Sequence, residues 1–209
     1  MKQTRPLILA SASPRRREIL ARLGLVFTVE AADLDESRRE GESPTTYVER
    51  LSREKARAVA VRSSLAHGKT ARFDQSLPCA LLGADTTVVL DDQLLEKPLD
   101  LADSERMLRA LRGREHVVYT AVTLLLWPED EAHTQTVATA VRFRAFGDAT
   151  LRGYVASREG MDKAGSYGIQ ELGAALVSEV RGSYSNVVGL PAAETLALLE
   201  QRGVVDEWP

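Results

Sequence analysis

The order of strand and helix signals along the chain predicts an α/β fold built on a long mixed β-sheet. Residues Cys79–Leu90 form an apolar, β-rich run, and two long strands are expected at 116–127 and 134–146, with a turn at 128–132 between them. The second of these strands alternates apolar with polar residues, which is typical of an antiparallel, half-buried strand. Helical patterns lie on either side of this apparent hairpin. This mixture favours a mixed sheet over a purely parallel, doubly wound one.

Caps and chain breakers place the remaining elements. Ser13 and Pro14 begin the first helix, Pro44 begins the second, and Asp148 caps a short fourth helix; Gly113 and Gly203 end two others. The predicted helices cover 14–23, 44–62, 101–112, a short stretch from Asp148, and 192–202. The predicted short strands cover 7–10 and 174–180, the segment 63–78 is expected to be a long loop, and 160–173 is rich in glycine.

Composition restricts the class of protein. The 209 residues suit one domain, or two lobes that share a core, and 44% hydrophobic with 27% charged residues is ordinary for a globular protein. A net charge of −3 argues against a partner that is a nucleic-acid polymer. The single cysteine, Cys79, excludes an intrachain disulfide and a cysteine zinc site, and we expect it to pack inside a strand. The longest apolar run, 121–127, is too short for a membrane span, so we expect a cytoplasmic protein without a membrane partner.

The segment 11–17, Ser-Ala-Ser-Pro-Arg-Arg-Arg, is the most informative part of the chain. It places three cations in the first turn of a helix, at the end whose dipole repels them. Backbone N–H groups, two hydroxyls and guanidinium groups at one place indicate an anion site, and phosphate is the anion that we expect there. The alternative is a solvated arginine triplet. Ser11, Arg15 and Arg16 are the candidate ligands, whereas Arg17 is expected on the surface.

Two charged residues stand among apolar neighbours. Lys55 shares a helical stripe with Val48 and Leu51, and it either lies at the margin of that stripe or reaches a phosphate in a cleft. Asp85 interrupts the apolar strand, and a carboxylate there is costly unless it faces a metal, a cation or a binding site. Gly83 nearby allows either a close backbone approach or a bulge.

Further polar candidates lie in loops. Lys97 precedes Pro98 and ends a segment that could return to the same rim as Asp85. Glu36 belongs to an acidic stretch that is otherwise read as a solvated loop. The stretch 162–170 is a polar loop punctuated by glycines, which either brings the backbone close to a ligand or makes a tight turn.

Together these motifs resemble the Maf family of nucleoside triphosphate pyrophosphatases. They occur in the order of the family and cover nearly the whole chain. The motifs are Ser11-Ala12-Ser13-Pro14-Arg15-Arg16, Arg53-Glu54-Lys55-Ala56, Gly83-Ala84-Asp85-Thr86, Glu96-Lys97-Pro98, the segment from Asp162 to Gln170, and Gly182-Ser183-Tyr184 followed by Val188-Gly189-Leu190-Pro191.

The resemblance implies a single domain over 1–209, with two lobes around a deep cleft and commonly a homodimer. It implies hydrolysis of a nucleoside triphosphate to the monophosphate and pyrophosphate with a divalent cation, Mg²⁺, Mn²⁺ or Co²⁺. Asp85 matches the proton acceptor of the family, and Asp85 with Glu36 is the expected pair of metal ligands. The implied catalytic residues are Asp85, Lys55, Lys97 and Glu36, and the implied substrate-binding residues are Ser11, Arg15, Arg16, Thr86 and Gln170.

The base is expected to be a pyrimidine. The Gly-Ile-Gln sequence that ends at Gln170 resembles the dTTP/UTP subgroup, and an amide can both accept from N3–H and donate to a carbonyl of uracil or thymine. A sister subgroup that acts on 7-methyl-GTP carries an acidic residue at this position, which suits the adjacent donors of guanine. Two alternatives stay open: that purine specificity, and a nucleotide-binding regulator of cell division with little turnover.

Overall fold

The computed structural model describes residues 2–65 and 78–208. The second helix continues to Leu65, three residues beyond the predicted end. Most of the predicted 63–78 loop therefore lies outside the described residues.

The described elements agree closely with the predicted order. The helices are α1 (Pro14–Arg22), α2 (Pro44–Leu65), α3 (Leu101–Leu111), α4 (Asp148–Ser157), α5 (Tyr184–Val188) and α6 (Ala192–Gln201). The strands are β1 (Lys2–Gln3), β2 (Leu7–Leu9), β3 (Phe27–Val29), β4 (Cys79–Leu90), β5 (Gln93–Leu95), β6 (Glu115–Trp127), β7 (Glu131–Phe143), β8 (Val177–Arg181) and β9 (Val205–Glu207). None of the helices in the described part of the chain is both long enough and apolar enough to cross a bilayer.

The strands form a mixed sheet, which confirms the predicted fold class. Six strands follow one another in the order β3-β2-β4-β6-β7-β8, and β5 pairs with β4. The pairs β2–β3 and β2–β4 are parallel, whereas β4–β5 and β7–β8 are antiparallel. The strands β1 and β9 form a separate antiparallel pair.

The chain divides into two compact units. Unit 1 contains Met1–Asp85, Ala121–Thr136 and Gly189–Pro209, and unit 2 contains Thr86–Thr120 and Val137–Val188. The strands β4, β6 and β7 contribute residues to both units. Whether the chain is a single domain, as the sequence suggested, stays a prediction.

The core of unit 1 is built on both faces of β2 and β4. Leu7, Leu9 and Leu82 belong to one buried cluster, whereas Ile8 and Leu81 belong to another. Successive side chains of a strand point to opposite faces, so strands buried on both faces read as continuous apolar runs. This explains why the sequence of β4 identified a buried strand without any alternation.

The core of unit 2 contains an aromatic cluster. His116, Phe143 and Tyr167 pack edge to face, with ring centroids 4.7–5.4 Å apart. Nε2 of His116 lies 2.8 Å from the Tyr167 hydroxyl. Burial lowers the pKa of His116 to about 4, so the ring is neutral at pH 7 and packs as a core residue.

Besides the end of α2, several predicted element boundaries were wrong, including that of the 174–180 strand, which is observed as Val177–Arg181. Asp148 is the first residue of α4 rather than its cap, because Gly147 occupies the N-cap position; its carboxylate accepts from Arg112 instead. β7 ends at Phe143 rather than at residue 146, and the turn before it is shorter than expected, at 128–130. The short strands β1, β3, β5 and β9 and the helix α5 were not predicted.

Candidate functional site

The start of α1 has the predicted construction. Ser13 is the N-cap, its Oγ accepts from the backbone N–H of Arg16 at 3.4 Å, and Pro14 is the first helical residue. The first turn contains no acidic residue. Arg17 is exposed, as expected, and Arg15 is half-buried. The helix start is therefore stabilised by a cap and a proline, while its charges work against the helix dipole.

Ser11 and Arg16 form a buried, hydrogen-bonded pair at the start of α1. Ser11 Oγ accepts from Arg16 Nη1 at 3.1 Å and from the backbone N–H of Ser13 at 3.3 Å. Arg16 Nε donates to the carbonyl oxygen of Gly189 at 2.8 Å. Because both lone pairs of the Ser11 hydroxyl accept hydrogen bonds, what this hydroxyl offers a ligand is its proton. A phosphate oxygen is the complementary acceptor.

Helix α2 approaches β4 closely at Gly83. A Cβ atom on Gly83 would lie 2.0 Å from the carbonyl oxygen of Ser52 and 2.9 Å from the backbone nitrogen of Ala56. Of the two roles that the sequence allowed for Gly83, the structure thus shows the close approach. Side chains two apart share a face of a strand, so Asp85 projects toward the same helix, where Lys55 lies between Ser52 and Ala56.

Lys55 joins two carboxylates. Its Nζ lies 2.7 Å from Asp85 Oδ1 and 2.8 Å from Glu36 Oε1. Lys55 and Asp85 are buried, at 8% and 7% exposure, whereas Glu36 is exposed. Lys55 therefore does not lie at a solvated margin of its helix, and Asp85 faces a cation, one of the three partners that the sequence required for it.

Burial and charge act in opposite directions on Asp85. Burial raises the pKa of this carboxyl, while the attraction of Lys55 and Arg16 opposes the rise. A carboxylate whose pKa lies above its usual range is a better proton acceptor near neutral pH. Arg16 is affected in turn, because burial lowers the pKa of its guanidinium and the charges of Asp85 and Glu36 counter that shift.

The backbone around Glu36 is held by α2. The Tyr47 hydroxyl donates to the carbonyl oxygen of Glu36 at 2.9 Å, and Arg50 Nη2 donates to that of Ser37 at 3.1 Å. Arg50 also donates hydrogen bonds from Nε and Nη2 to the two oxygens of the buried Glu42 carboxylate. Tyr47, Arg50 and Glu42 were not among the predicted site residues, because polar side chains on a helix or in the charged loop before it are typical of solvated surface.

The carboxylates of Asp85 and Glu36 fit a divalent cation in donor type. In the part of the chain that the structure describes, His, Cys, Asp and Glu side chains form no group of three or more that could hold a metal. Mg²⁺ is commonly bound by one or two protein carboxylates together with substrate phosphates and water, so two carboxylates suffice when a triphosphate is bound. Both carboxylates already contact Lys55, whose single positive charge offsets one of their two negative charges.

The other three candidate residues lie in unit 2. Thr86 Oγ1 is 2.9 Å from Thr120 Oγ1. Lys97 and Gln170 are both exposed. Their segments are linked, because the backbone N–H of Gly165 donates to the carbonyl oxygen of Glu96 at 3.2 Å. The structure thus gathers Ser11, Arg16, Glu36, Lys55 and Asp85 within unit 1. Within unit 2 it joins the residue before Lys97 to the 162–170 stretch that ends at Gln170.

Comparison with known proteins agrees with the motifs. The model of the family described as Maf-like protein matches residues 6–202. The chain belongs to this family. The Maf-like match includes every candidate residue, from Ser11 to Gln170.

Several relatives of this Maf-like chain carry the same functional name. A dTTP/UTP pyrophosphatase of Shewanella oneidensis is 50% identical over 206 residues, covering 95% of this chain and 99% of the relative. A dTTP/UTP pyrophosphatase of Anaeromyxobacter dehalogenans is 49% identical, covering 97% and 96%. A third, of Myxococcus xanthus, is 48% identical, covering 97% and 95%.

Proposed function

We propose that this protein hydrolyses dTTP and UTP to the nucleoside monophosphate and pyrophosphate. The observation that carries the proposal is the buried contact of Asp85 with Lys55, next to the proposed anion-binding pair of Ser11 and Arg16. The chain that contains this contact aligns over nearly its whole length with dTTP/UTP pyrophosphatases. A buried carboxylate with a raised pKa provides a base, and the cations and the Ser11 hydroxyl provide partners for phosphate oxygens.

In the reaction, a water molecule attacks the α-phosphorus. Asp85 accepts a proton from this water. A new bond forms between the water oxygen and the α-phosphorus, and the bond from that phosphorus to the oxygen that bridges to the β-phosphorus breaks. Pyrophosphate leaves with the electron pair of the broken bond. Lys55 keeps Asp85 ionised before the attack, because its ammonium lies 2.7 Å away and offsets the cost of burying the carboxylate.

The phosphate groups are bound by the remaining cations. Arg15, Arg16 and Lys97 neutralise charge on the triphosphate and on the leaving pyrophosphate, and Ser11 donates its hydroxyl proton. Asp85 and Glu36 would hold a divalent cation, Mg²⁺, Mn²⁺ or Co²⁺, which when bound lowers the pKa of water and neutralises phosphate charge. Gln170 and Thr86 select the base, and the Gln170 amide pairs with N3–H and a carbonyl of uracil or thymine.

A panel of triphosphates tests the function. Pyrophosphate release is measured from dTTP, UTP, CTP, GTP and 7-methyl-GTP with Mg²⁺, Mn²⁺ or Co²⁺. We expect dTTP and UTP to give the highest kcat/KM, and we expect a chelator to abolish release. A preference for 7-methyl-GTP would contradict the assignment of Gln170, and tight UTP binding without pyrophosphate release would favour the nucleotide-binding regulator.

We also propose that the enzyme is a homodimer that acts in the cytoplasm, where the nucleoside triphosphate pool is found. Light scattering on the purified protein measures the oligomeric state, and we expect a mass near 46 kDa (twice 22.9 kDa). Cell fractionation measures the location.

A further inference from the structure

The loop that carries Gln170 is closed at its two ends. A Cβ atom on Gly173 would lie 2.2 Å from the carbonyl oxygen of Gly168, so the two glycines are in direct contact. Gln170 lies between them and is exposed, while its neighbour Ile169 is buried at 8% exposure. The loop 168–173 is therefore a short closed segment that presents one amide side chain.

The carboxylate of Glu159 holds the far end of this loop. Its Oε2 accepts from the backbone N–H of Leu172 at 2.9 Å, and its Oε1 accepts from that of Gly173 at 3.0 Å. An ionised carboxylate is an acceptor at both oxygens, and hydrogen bonds to a charged acceptor are about twice as strong as neutral ones. One side chain thus fixes two successive amides.

The near end of the loop is held through Tyr154. The backbone N–H of Gly168 donates to the Tyr154 hydroxyl at 3.1 Å, and this hydroxyl donates to Glu159 Oε1 at 3.0 Å. Burial raises the pKa of Tyr154, and the charge of Glu159 adds to the rise, so the phenol keeps the proton that it donates. Both ends of the loop therefore depend on the carboxylate of Glu159.

The side chain of Lys163 packs against Gly168 at the near end of the loop and contacts Glu159. A Cβ atom on Gly168 would lie 2.8 Å from Lys163 Cε. The ammonium group of Lys163 donates to the carbonyl oxygen of Glu159. The residue that anchors the loop is thus itself fixed by a bond to its backbone.

We propose that Glu159, acting with Tyr154, is the positioning residue that orients the Gln170 amide for base recognition. This role rests on the proposed dTTP/UTP pyrophosphatase function. An amide that reads a base edge has to present its oxygen and its nitrogen to particular atoms, and a displacement of about 1 Å is enough to lose much of the gain from orientation. Glu159 fixes the orientation of the Gln170 amide through the loop backbone, without contacting the nucleotide.

The substitution Glu159→Gln tests the role. The amide keeps the size of the side chain but replaces one acceptor oxygen with a donor, so one loop N–H loses its acceptor. We expect kcat/KM for UTP to fall roughly tenfold, mainly through KM, and the preference for UTP over CTP to fall with it. The double variant with Gln170→Ala should be no worse than Gln170→Ala alone, because Glu159 acts through Gln170. A role in stability alone would instead give additive losses.

Glu115→Gln is the matched control. Glu115 lies in the same unit, and its carboxylate accepts from Arg142 and Arg181, away from the Gln170 loop. We expect this variant to keep the preference for UTP over CTP. Hydrogen exchange supplies a second readout: at least one of the amides of Leu172 and Gly173 should exchange at least about tenfold faster in Glu159→Gln, and both should stay protected in Glu115→Gln. If Glu159→Gln does not fold, Tyr154→Phe serves in its place: it removes the acceptor of the Gly168 N–H and the hydroxyl that donates to Glu159, leaves the Glu159 carboxylate in place, and should also lower the UTP preference.

The outcomes separate the two proposals. A wild-type enzyme that prefers UTP, and whose preference is unchanged in both Glu159→Gln and Tyr154→Phe, would overturn the positioning role alone. Additive losses in the double variant would overturn it as well. A wild-type enzyme that releases pyrophosphate from no nucleotide would overturn the proposed function, and the positioning role would fall with it.

Discussion

Lys55 is buried on the face of α2 that packs against β4, and its ammonium group contacts the carboxylates of Asp85 and Glu36. Asp85 is therefore subject to two opposed effects, the cost of burial and the attraction of nearby cations. The balance decides the pH at which the carboxylate can accept a proton. A change at Lys55 shifts that balance in a known direction.

Lys55→Met should move the acidic limb of activity to higher pH. Without the ammonium, burial is opposed mainly by Arg16, so the pKa of Asp85 rises further. We expect the midpoint of the acidic limb of kcat/KM to move to higher pH. A pH–rate profile with UTP measures this midpoint.

Arg57→Met is the control for removing a cation from the same helix. Arg57 is exposed and pairs with Asp130 at 3.3 Å. Its loss should leave the midpoint unchanged. An acidic limb that has the same midpoint in Lys55→Met as in the wild type would contradict the coupling of Lys55 to Asp85.

The sequence identified Asp85 and Lys55 separately, but not as partners. Each was visible as a charge among apolar residues, since burying a charge is costly. Their pairing spans 30 positions and depends on how α2 lies on β4, which no local pattern encodes. Glu159 was invisible for the opposite reason, because its function depends on bonds to backbone groups rather than on its sequence neighbours.

At the level of elements, the contact of α2 with β4 depends on a missing side chain. Gly83→Ala would place a Cβ atom 2.0 Å from a backbone oxygen, a distance that only a shift of the helix or strand can relieve. We expect a loss of about 3 kcal/mol in the free energy of unfolding, measured by urea denaturation. Gly153→Ala in α4 is the matched control, because nothing lies within 4 Å of its added Cβ, and it should stabilise the protein by about 0.5–1 kcal/mol. Equal effects of the two variants would contradict the close approach.

The loop of Glu36 should respond to acid through Glu42. The hydrogen bonds from Arg50 lower the pKa of Glu42 to about 2, from an ordinary value of 4.5. A lowered carboxyl pKa stabilises the fold fully above pH 4.5, and this contribution disappears as the pH falls through about 2. Glu42→Gln should therefore cost about 2 kcal/mol at pH 7, with a difference that shrinks steadily below pH 4.5.

Urea denaturation at pH 7 and pH 3 measures this difference. Glu105→Gln is the control, since Glu105 forms an exposed pair with Arg109 within one helix. We expect a change below about 0.5 kcal/mol there at either pH. A Glu42→Gln variant whose deficit is as large at pH 3 as at pH 7 would contradict an ionised Glu42 as the stabilising form.

Elements with strong local signals were predictable, and those without were not. β4 was predicted at its observed bounds because a long apolar run ends at a turn, where Asp91 and Asp92 adopt positive φ. β3 and β5 have only three residues each, too few to show a period. Asp148 was misread because a residue of the type favoured at caps stands one position inside its helix.

At the scale of the whole molecule, the family was predictable, although the positions at which the chain passes from one unit to the other were not. The motifs from Ser11 to Pro191 each reflect a local requirement of backbone or charge, and their order is visible in the chain; the family match over 6–202 confirms it. The boundary between the units falls inside strands. In β4, for example, Asp85 ends the first segment of unit 1 and Thr86 begins unit 2. This boundary depends on tertiary contacts, which a local sequence pattern does not show.

The central claim, that Asp85 is the proton acceptor of a pyrophosphatase, is tested most directly by Asp85→Asn. The amide is nearly isosteric but cannot accept the proton of the attacking water. Pyrophosphate and UMP are measured from UTP for the wild type and for the variant, with thermal unfolding as the check that both are folded. We predict equal amounts of the two products from the wild type and a rate at least about 100-fold lower in Asp85→Asn. A folded Asp85→Asn variant that releases pyrophosphate near the wild-type rate would contradict the account.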